Sequence, residues 1–195
     1  MRIIAGARKG MALVCPRTLE TRPITDRIKE SLFNVLAHYE LLAGSVVADL
    51  FCGVGSLGLE ALSRGATFAT FVENSPNITP FLEKNIAKAG FADLSKIVRA
   101  DAFRVGAQGR KHDLVFVDPP YAATRQAGET SPLAALFKIL EPQVVHRGVV
   151  VVRTEREVSA PDRYGIFQLI DKRLWGSMSI RLFQALGHEQ QASGH

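Results

Sequence analysis

Val46 to Gly58 reads V-V-A-D-L-F-C-G-V-G-S-L-G, an apolar run that breaks into a glycine turn. A helical stretch, Leu57 to Ser63, follows directly. Gly53, Gly55 and Gly58 fit G-x-G-x-x-G, and Glu73 lies 20 positions beyond Gly53. That is formally the fingerprint of a βαβ nucleotide-binding unit. The same rhythm continues outward through F-A-T-F-V-E, K-I-V-R-A, D-L-V-F-V-D and G-V-V-V-V-R, with helical stretches at Asn77–Ala89, closed by Gly90, and at Pro132–Leu140. Short apolar runs alternating with helices predict strands buried on both faces, right-handed crossovers and a doubly wound α/β domain with a parallel sheet. The last two runs, Y-G-I-F-Q-L-I-D-K and S-M-S-I-R-L-F-Q-A-L, are joined only by R-L-W-G. They predict a terminal antiparallel hairpin.

Asp49 argues against a dinucleotide. It stands four positions before Gly53, at the strand's C-terminal end, where a pyrophosphate lying against the turn and the helix N-terminus would be repelled. S-adenosylmethionine fits better, because it brings a sulfonium and an ammonium group and no phosphate. Glu73 is then placed to accept from both ribose hydroxyls. In R-A-D-A-F, Asp101 is a candidate acceptor for the adenine amine and Phe103 a face for its ring; a loop cap is the competing role for Asp101. Phe51, Asn74, Ala102 and Asp118 complete the candidate cofactor set.

The fourth core strand ends in D-P-P-Y, Asp118 to Tyr121. Pro119 and Pro120 remove two N–H donors and stiffen the backbone, leaving carbonyl oxygens to face a pocket. An exocyclic base amine is a weak nucleophile. The Asp118 carboxylate and the Pro119 carbonyl are suited to hold it, while Tyr121 offers a stacking face for an extruded base. An acceptor-only carboxylate matches the N1–H and N2–H₂ donors of guanine, though adenine and cytosine amines stay compatible.

The chain's 195 residues carry a formal charge of +5. Seven of the Lys and Arg residues, against Glu20 and Asp26, lie between Met1 and Lys29, so the remainder is neutral. A basic arm on a neutral body predicts a polyanionic partner, with Arg2, Arg8, Lys9, Arg22 and Arg27 as candidate substrate contacts. The divisions expected are a β-prone arm or hairpin over 1–24, a catalytic domain over 25–186 and a polar, disordered tail over 187–195. Thr25 or Asp26 caps a helix with Ile28, Leu32, Val35, Leu36 and Tyr39 on one stripe. Two cysteines and five scattered histidines predict no disulfide framework and no metal site. The absence of a signal-peptide core and of a membrane-length apolar run predicts a cytoplasmic protein.

These motifs resemble the class I S-adenosylmethionine-dependent methyltransferases. From Arg2 to Leu186 the chain resembles the bacterial RsmD family, on R-I-I-A-G, T-R-P-I-T-D-R-I-K-E-S-L-F-N, D-L-F-C-G-V-G-S-L-G-L-E-A-L-S-R-G-A, F-V-E, D-P-P-Y and W-G-S-M-S-I. The resemblance implies a seven-stranded sheet with a reversed last strand. It also implies methylation of the N2 amine of guanine 966 in 16S rRNA within the assembled small subunit, with the basic arm touching RNA. The short chain and the absence of an evident apolar surface stripe predict a monomer. Thr21, Arg22, Pro23 and Asp26 would border the pocket. Ile24 and Cys52 depart from the family's usual Thr and small residue. A DNA adenine or cytosine amino-methyltransferase, an NAD-dependent oxidoreductase and a non-catalytic RNA-binding assembly factor stay open as alternatives.

Overall fold

A computed structural model describes residues 1–16, 24–125 and 127–186, apart from the side chains of Tyr121 and Ala122. The expected tail over 187–195, and Thr21, Arg22 and Pro23, lie outside the described residues.

In chain order the elements are α1 (Asp26–His38), β1 (Val46–Leu50), α2 (Ser56–Ser63), β2 (Phe68–Glu73), α3 (Thr79–Ala89), β3 (Ser95–Arg99), α4 (Ala102–Val105), β4 (His112–Val117), α5 (Tyr121–Thr124), α6 (Pro132–Leu140), β5 (Val144–Glu155), β6 (Arg163–Tyr164), β7 (Phe167–Trp175) and β8 (Met178–Ala185). Thr25 caps α1, its hydroxyl accepting from the Ile28 N–H. Gly90 ends α3 in the left-handed conformation that a residue without Cβ adopts cheaply. Pro132 sits in the first turn of α6 behind the Ser131 cap.

The strands form one sheet in the order β3-β2-β1-β4-β5-β8-β7-β6. The first five are parallel, and β8 enters antiparallel between β5 and β7. Eight strands stand where seven are expected. The extra one, β6, is a two-residue edge piece pairing Arg163 with Gln168 and Tyr164 with Phe167 across a tight turn, too short to leave a period-two signature.

Alternate strand residues feed two cores. Val149 and Val151 pack with Phe33, Phe71 and Phe116 on one face, and Val150 and Val152 with Phe137 and Phe183 on the other. The Tyr164 ring stacks on Phe137 at 4.4 Å, and its hydroxyl donates to the Ala127 carbonyl. On α1 the buried stripe is Lys29, Leu32, Phe33 and Leu36. It is rotated from the expected one: Ile28 and Val35 are only half-buried, and Tyr39 lies past the helix end and is 39% exposed.

The first sixteen residues form a small hairpin closed by the Arg2–Ala12 bridge, and it is strapped to the domain by polar contacts. Glu60 accepts from the Ile4 and Ala5 N–H groups at 2.7 and 3.1 Å, Ser63 bonds Ala5 and Arg8, and Asn85 exchanges two bonds with Val14. Glu60 is fully buried and lies 3.4 Å from the buried Lys29 ammonium and 2.8 Å from Arg64. Lys29 in turn donates to the Arg2 carbonyl and the Ser56 hydroxyl.

Candidate active site

The chain runs outward from β1 through β2 to β3 and returns to β4 on the other side of β1. Such a reversal opens a crevice at the strands' C-terminal ends. A cleft of about 720 Å³ lies there, and its wall includes Asp49, Phe51, Gly53, Glu73, Asn74, Ala102, Asp118, Pro119, Pro120 and Arg153.

The turn after β1 holds three left-handed residues in close succession, Phe51 (φ 58°), Gly53 (φ 55°) and Gly55 (φ 87°). At Gly55 a Cβ would stand 2.6 Å from Leu82 Cδ1, and at Gly58 it would stand 2.4 Å from Phe71 Cε1. These two glycines therefore let α2 pack closely on β2 and α3, while Gly53 lines the cleft and has open space beside its Cα.

Asp49 is 1% exposed, and its Oδ2 accepts from the Gly58 N–H at 2.8 Å. Burial pushes its carboxyl well above the ordinary range; the Gly58 bond opposes this, and the neighbouring Asp118 and Glu73 charges add to it. Glu73 secures the turn, Oε2 accepting from Gly53 N–H at 2.9 Å and Oε1 from Ser75 N–H at 2.8 Å. Each of its oxygens keeps a second lone pair for a ligand.

Asp118 follows β4, where Val117 pairs with Val152, so Arg153 on β5 faces it across the strand step. The Arg153 Nε–H donates to Asp118 Oδ1 in an ion pair. Burial raises the Asp118 carboxyl, and Arg153 draws it back down. Arg153 was missed by sequence reasoning. Its signal was a charge ending the G-V-V-V-V run, in register with the acid that ends D-L-V-F-V. Tyr121 opens α5, and its side chain lies outside the described residues.

Other candidates are placed differently. Asp101 caps α4, its Oδ1 accepting from the Phe103 N–H at 2.9 Å, and neither residue is on the cleft wall described above. Phe103 instead rests on Phe51, ring centroids 4.7 Å apart. Arg2 pairs with Asp26 at 2.8 Å and stays largely exposed. Arg8 donates to the Ala89 carbonyl and lies 5.6 Å over the Phe91 ring, so its guanidinium helps dock the hairpin. Lys9 and Arg27 are exposed. Cys52 is buried in the cleft wall, and burial, with Asp49 and Glu73 beside it, pushes its thiol well above the ordinary range, which disfavours a nucleophilic thiolate.

Three carboxylates thus converge on one cleft with an internally paired arginine as the counter-charge. A ligand bearing positive charge relieves that imbalance; a pyrophosphate worsens it. Sheet order, glycine turn and acid-tipped strands define a Rossmann-like fold of the methyltransferase class. The family described as Conserved hypothetical protein 95 matches residues 1–184, and the chain belongs to it.

Ribosomal RNA small subunit methyltransferase D of Escherichia coli K12 is 35% identical over 189 residues, covering 94% of this chain and 89% of that protein. The protein of the same name from Haemophilus influenzae is 32% identical over 190 residues, with 94% and 93% coverage. The solved structure of yhhF from E. coli superposes with a TM-score of 0.81 at 31% identity, over 96% of this chain and 99% of that one. An RNA methyltransferase from Salinibacter ruber in complex with S-adenosyl-L-homocysteine shares the fold at TM-score 0.61 and 19% identity, over 89% and 100%.

Proposed function

We propose that this protein transfers a methyl group from S-adenosylmethionine to the N2 amine of a guanine in small-subunit rRNA, the guanine at position 966 that the RsmD resemblance implies. The observation that carries this is the D-P-P-Y acid, Asp118, in one cleft with Asp49 and Glu73 at the switch point of the sheet. The naming of the E. coli and H. influenzae relatives as ribosomal RNA small subunit methyltransferases supports the substrate class.

When bound, S-adenosylmethionine supplies an electrophilic methyl group. Asp49 and Glu73 hold the cofactor through its cationic and hydroxyl groups, with Phe51, Asn74 and Ala102 around it. Asp118 and the Pro119 carbonyl accept from the target amine, align it and localise its lone pair. Asp118 or water takes the proton. Tyr121 stacks the extruded base, and Pro120 keeps the segment stiff. Holding amine and methyl donor in line supplies most of the acceleration.

Lys9, Arg22 and Arg27, with Arg2, contact RNA phosphates, and Arg8 acts mainly by anchoring the hairpin that carries Arg2 and Lys9. The enzyme works as a cytoplasmic monomer on the assembled subunit. Among the described residues no helix is long and apolar enough to cross a membrane.

The test is incubation with labelled S-adenosylmethionine and separate pools of small subunits, free rRNA and DNA, together with mass-spectrometric mapping of rRNA from cells lacking the gene. Loss of one N2-methylguanine from the small-subunit RNA, restored by the purified enzyme, is the expected result. Label entering DNA, or an unchanged rRNA methylation map, would refute the proposal.

A further inference from the structure

Asp118 is the acid on which the proposed amine capture depends, and burial works against its charge. An Asp that kept its proton would present an O–H donor to an incoming N–H₂ group, the wrong polarity, and would have no room for a second proton. The titratable and charged groups facing it among the described residues are few. Asp49 approaches from β1, with Glu73 on β2 behind it, and Met1 lines the cleft from the hairpin. Pro119 and Pro120 carry no charge. The cation in contact is Arg153 on β5, bonded through Nε to Asp118 Oδ1.

Arg153 is placed by the sheet. Its neighbour Val152 is paired with Val117 on one side, and Arg153 itself pairs with Ile180 of β8 on the other. Its side chain is 11% exposed and Asp118's is 19% exposed, so the pair is shielded from most of the screening that weakens surface ion pairs. The bond from Arg153 Nε takes one of the roughly four lone-pair positions of a carboxylate, which leaves acceptor capacity for an amine.

We propose, resting on the assignment of Asp118 as the acceptor of the target amine, that Arg153 is a positioning residue: it fixes the Asp118 carboxylate in the cleft and balances its charge for the incoming amino group. Arg153 touches neither reacting atom in this role. It acts through Asp118, and its removal weakens the acceptor most where Asp118 is then protonated.

The experiment compares wild type, Arg153→Met and Arg153→Lys. Methyl transfer to small-subunit RNA is followed as kcat/KM against pH, and the Asp118 carboxyl is titrated by carbon-13 NMR with S-adenosylhomocysteine bound, its signal assigned by Asp118→Asn. In Arg153→Met the Asp118 midpoint moves to higher pH and the acid limb of kcat/KM moves with it. The loss is about tenfold or more at pH 6, the scale of one hydrogen bond to a charged group, and narrows to within about threefold at pH 9. Arg153→Lys keeps a cation and recovers most of the loss, which separates this role from a packing defect.

An Asp118 midpoint that stays put in Arg153→Met, or a loss equal at every pH and shared by Arg153→Lys, overturns the assignment. Should the wild type methylate no RNA, the proposed function falls. The carboxyl titration then decides Arg153 alone, an upward shift supporting it and an unmoved midpoint overturning it.

Discussion

Replacing Glu60 with Ala removes the hub that joins the N-terminal hairpin to the domain. The Glu60 carboxylate receives the Ile4 and Ala5 N–H groups, Arg64 Nε and the Lys29 ammonium, and both Glu60 and Lys29 are fully buried. Deleting one member of a buried ion pair leaves the other charge uncompensated, at a cost of about 3–5 kcal/mol. For a chain of this size each kcal/mol shifts the melting temperature by roughly 2–4 °C, so a drop of about 6–20 °C is expected. The pH dependence carries a sign. Burial lowers the Lys29 value and Glu60 opposes that, so in Glu60→Ala the folded-state value falls further below the unfolded one. The unfolded state then binds the proton more readily, stability rises with pH above the variant's Lys29 value, and the deficit narrows from there up to the wild-type Lys29 value. Urea and thermal unfolding followed by circular dichroism at pH 7 and pH 9 measure both effects. A loss below about 1 kcal/mol, or one independent of pH, would refute the placement of a charged Lys29–Glu60 pair at the base of the hairpin.

Gly58→Ala places a Cβ 2.4 Å from Cε1 of the fully buried Phe71 and 3.2 Å from Asp49 Cβ, so urea unfolding will show a loss of about 1–3 kcal/mol, the usual cost of overpacking. Asp49→Asn keeps an acceptor for the Gly58 N–H but discards the negative charge; calorimetry will show S-adenosylmethionine binding weakened by about tenfold or more. In wild type that affinity also falls on acidification through the raised Asp49 value, because a cationic ligand favours the ionised acid and expels its proton; the Asn variant is flat over the same range. Thiol labelling mapped by peptide mass spectrometry will mark the half-buried Cys15 first and Cys52 only slowly, since the Cys52 thiolate is disfavoured by burial and by two adjacent acids.

Much of the fold was legible because strand and helix signals were strong and short-range. Alternation of apolar runs with capped helices gave the parallel core, and Pro132–Leu140 is a helix between the same limits in the structure. Glu73 and Asp118 were visible because each ends an apolar strand run, and Asp49 because it is a lone charge near the end of such a run, just before the glycines. What escaped lay in tertiary register. Glu60 sits on α2, whose eight residues are all buried, so no polar face marked it as the partner of Lys29. Lys29 was hidden by a stripe drawn one step round α1. Arg153 belongs beside Asp118 only once β4 and β5 are known to be neighbours. Asp101 fitted a ligand role and a capping role equally from sequence, and in the structure its side chain caps α4.

The most direct measurement is a crystal structure of the protein with S-adenosylmethionine bound. The account predicts the cofactor across the C-terminal ends of β1 and β2, held by Asp49 and Glu73, with its methyl group pointing toward Asp118 and Pro119. A methyl group directed away from Asp118, or a cleft that takes a phosphate-bearing dinucleotide in preference to the methyl donor, would contradict it.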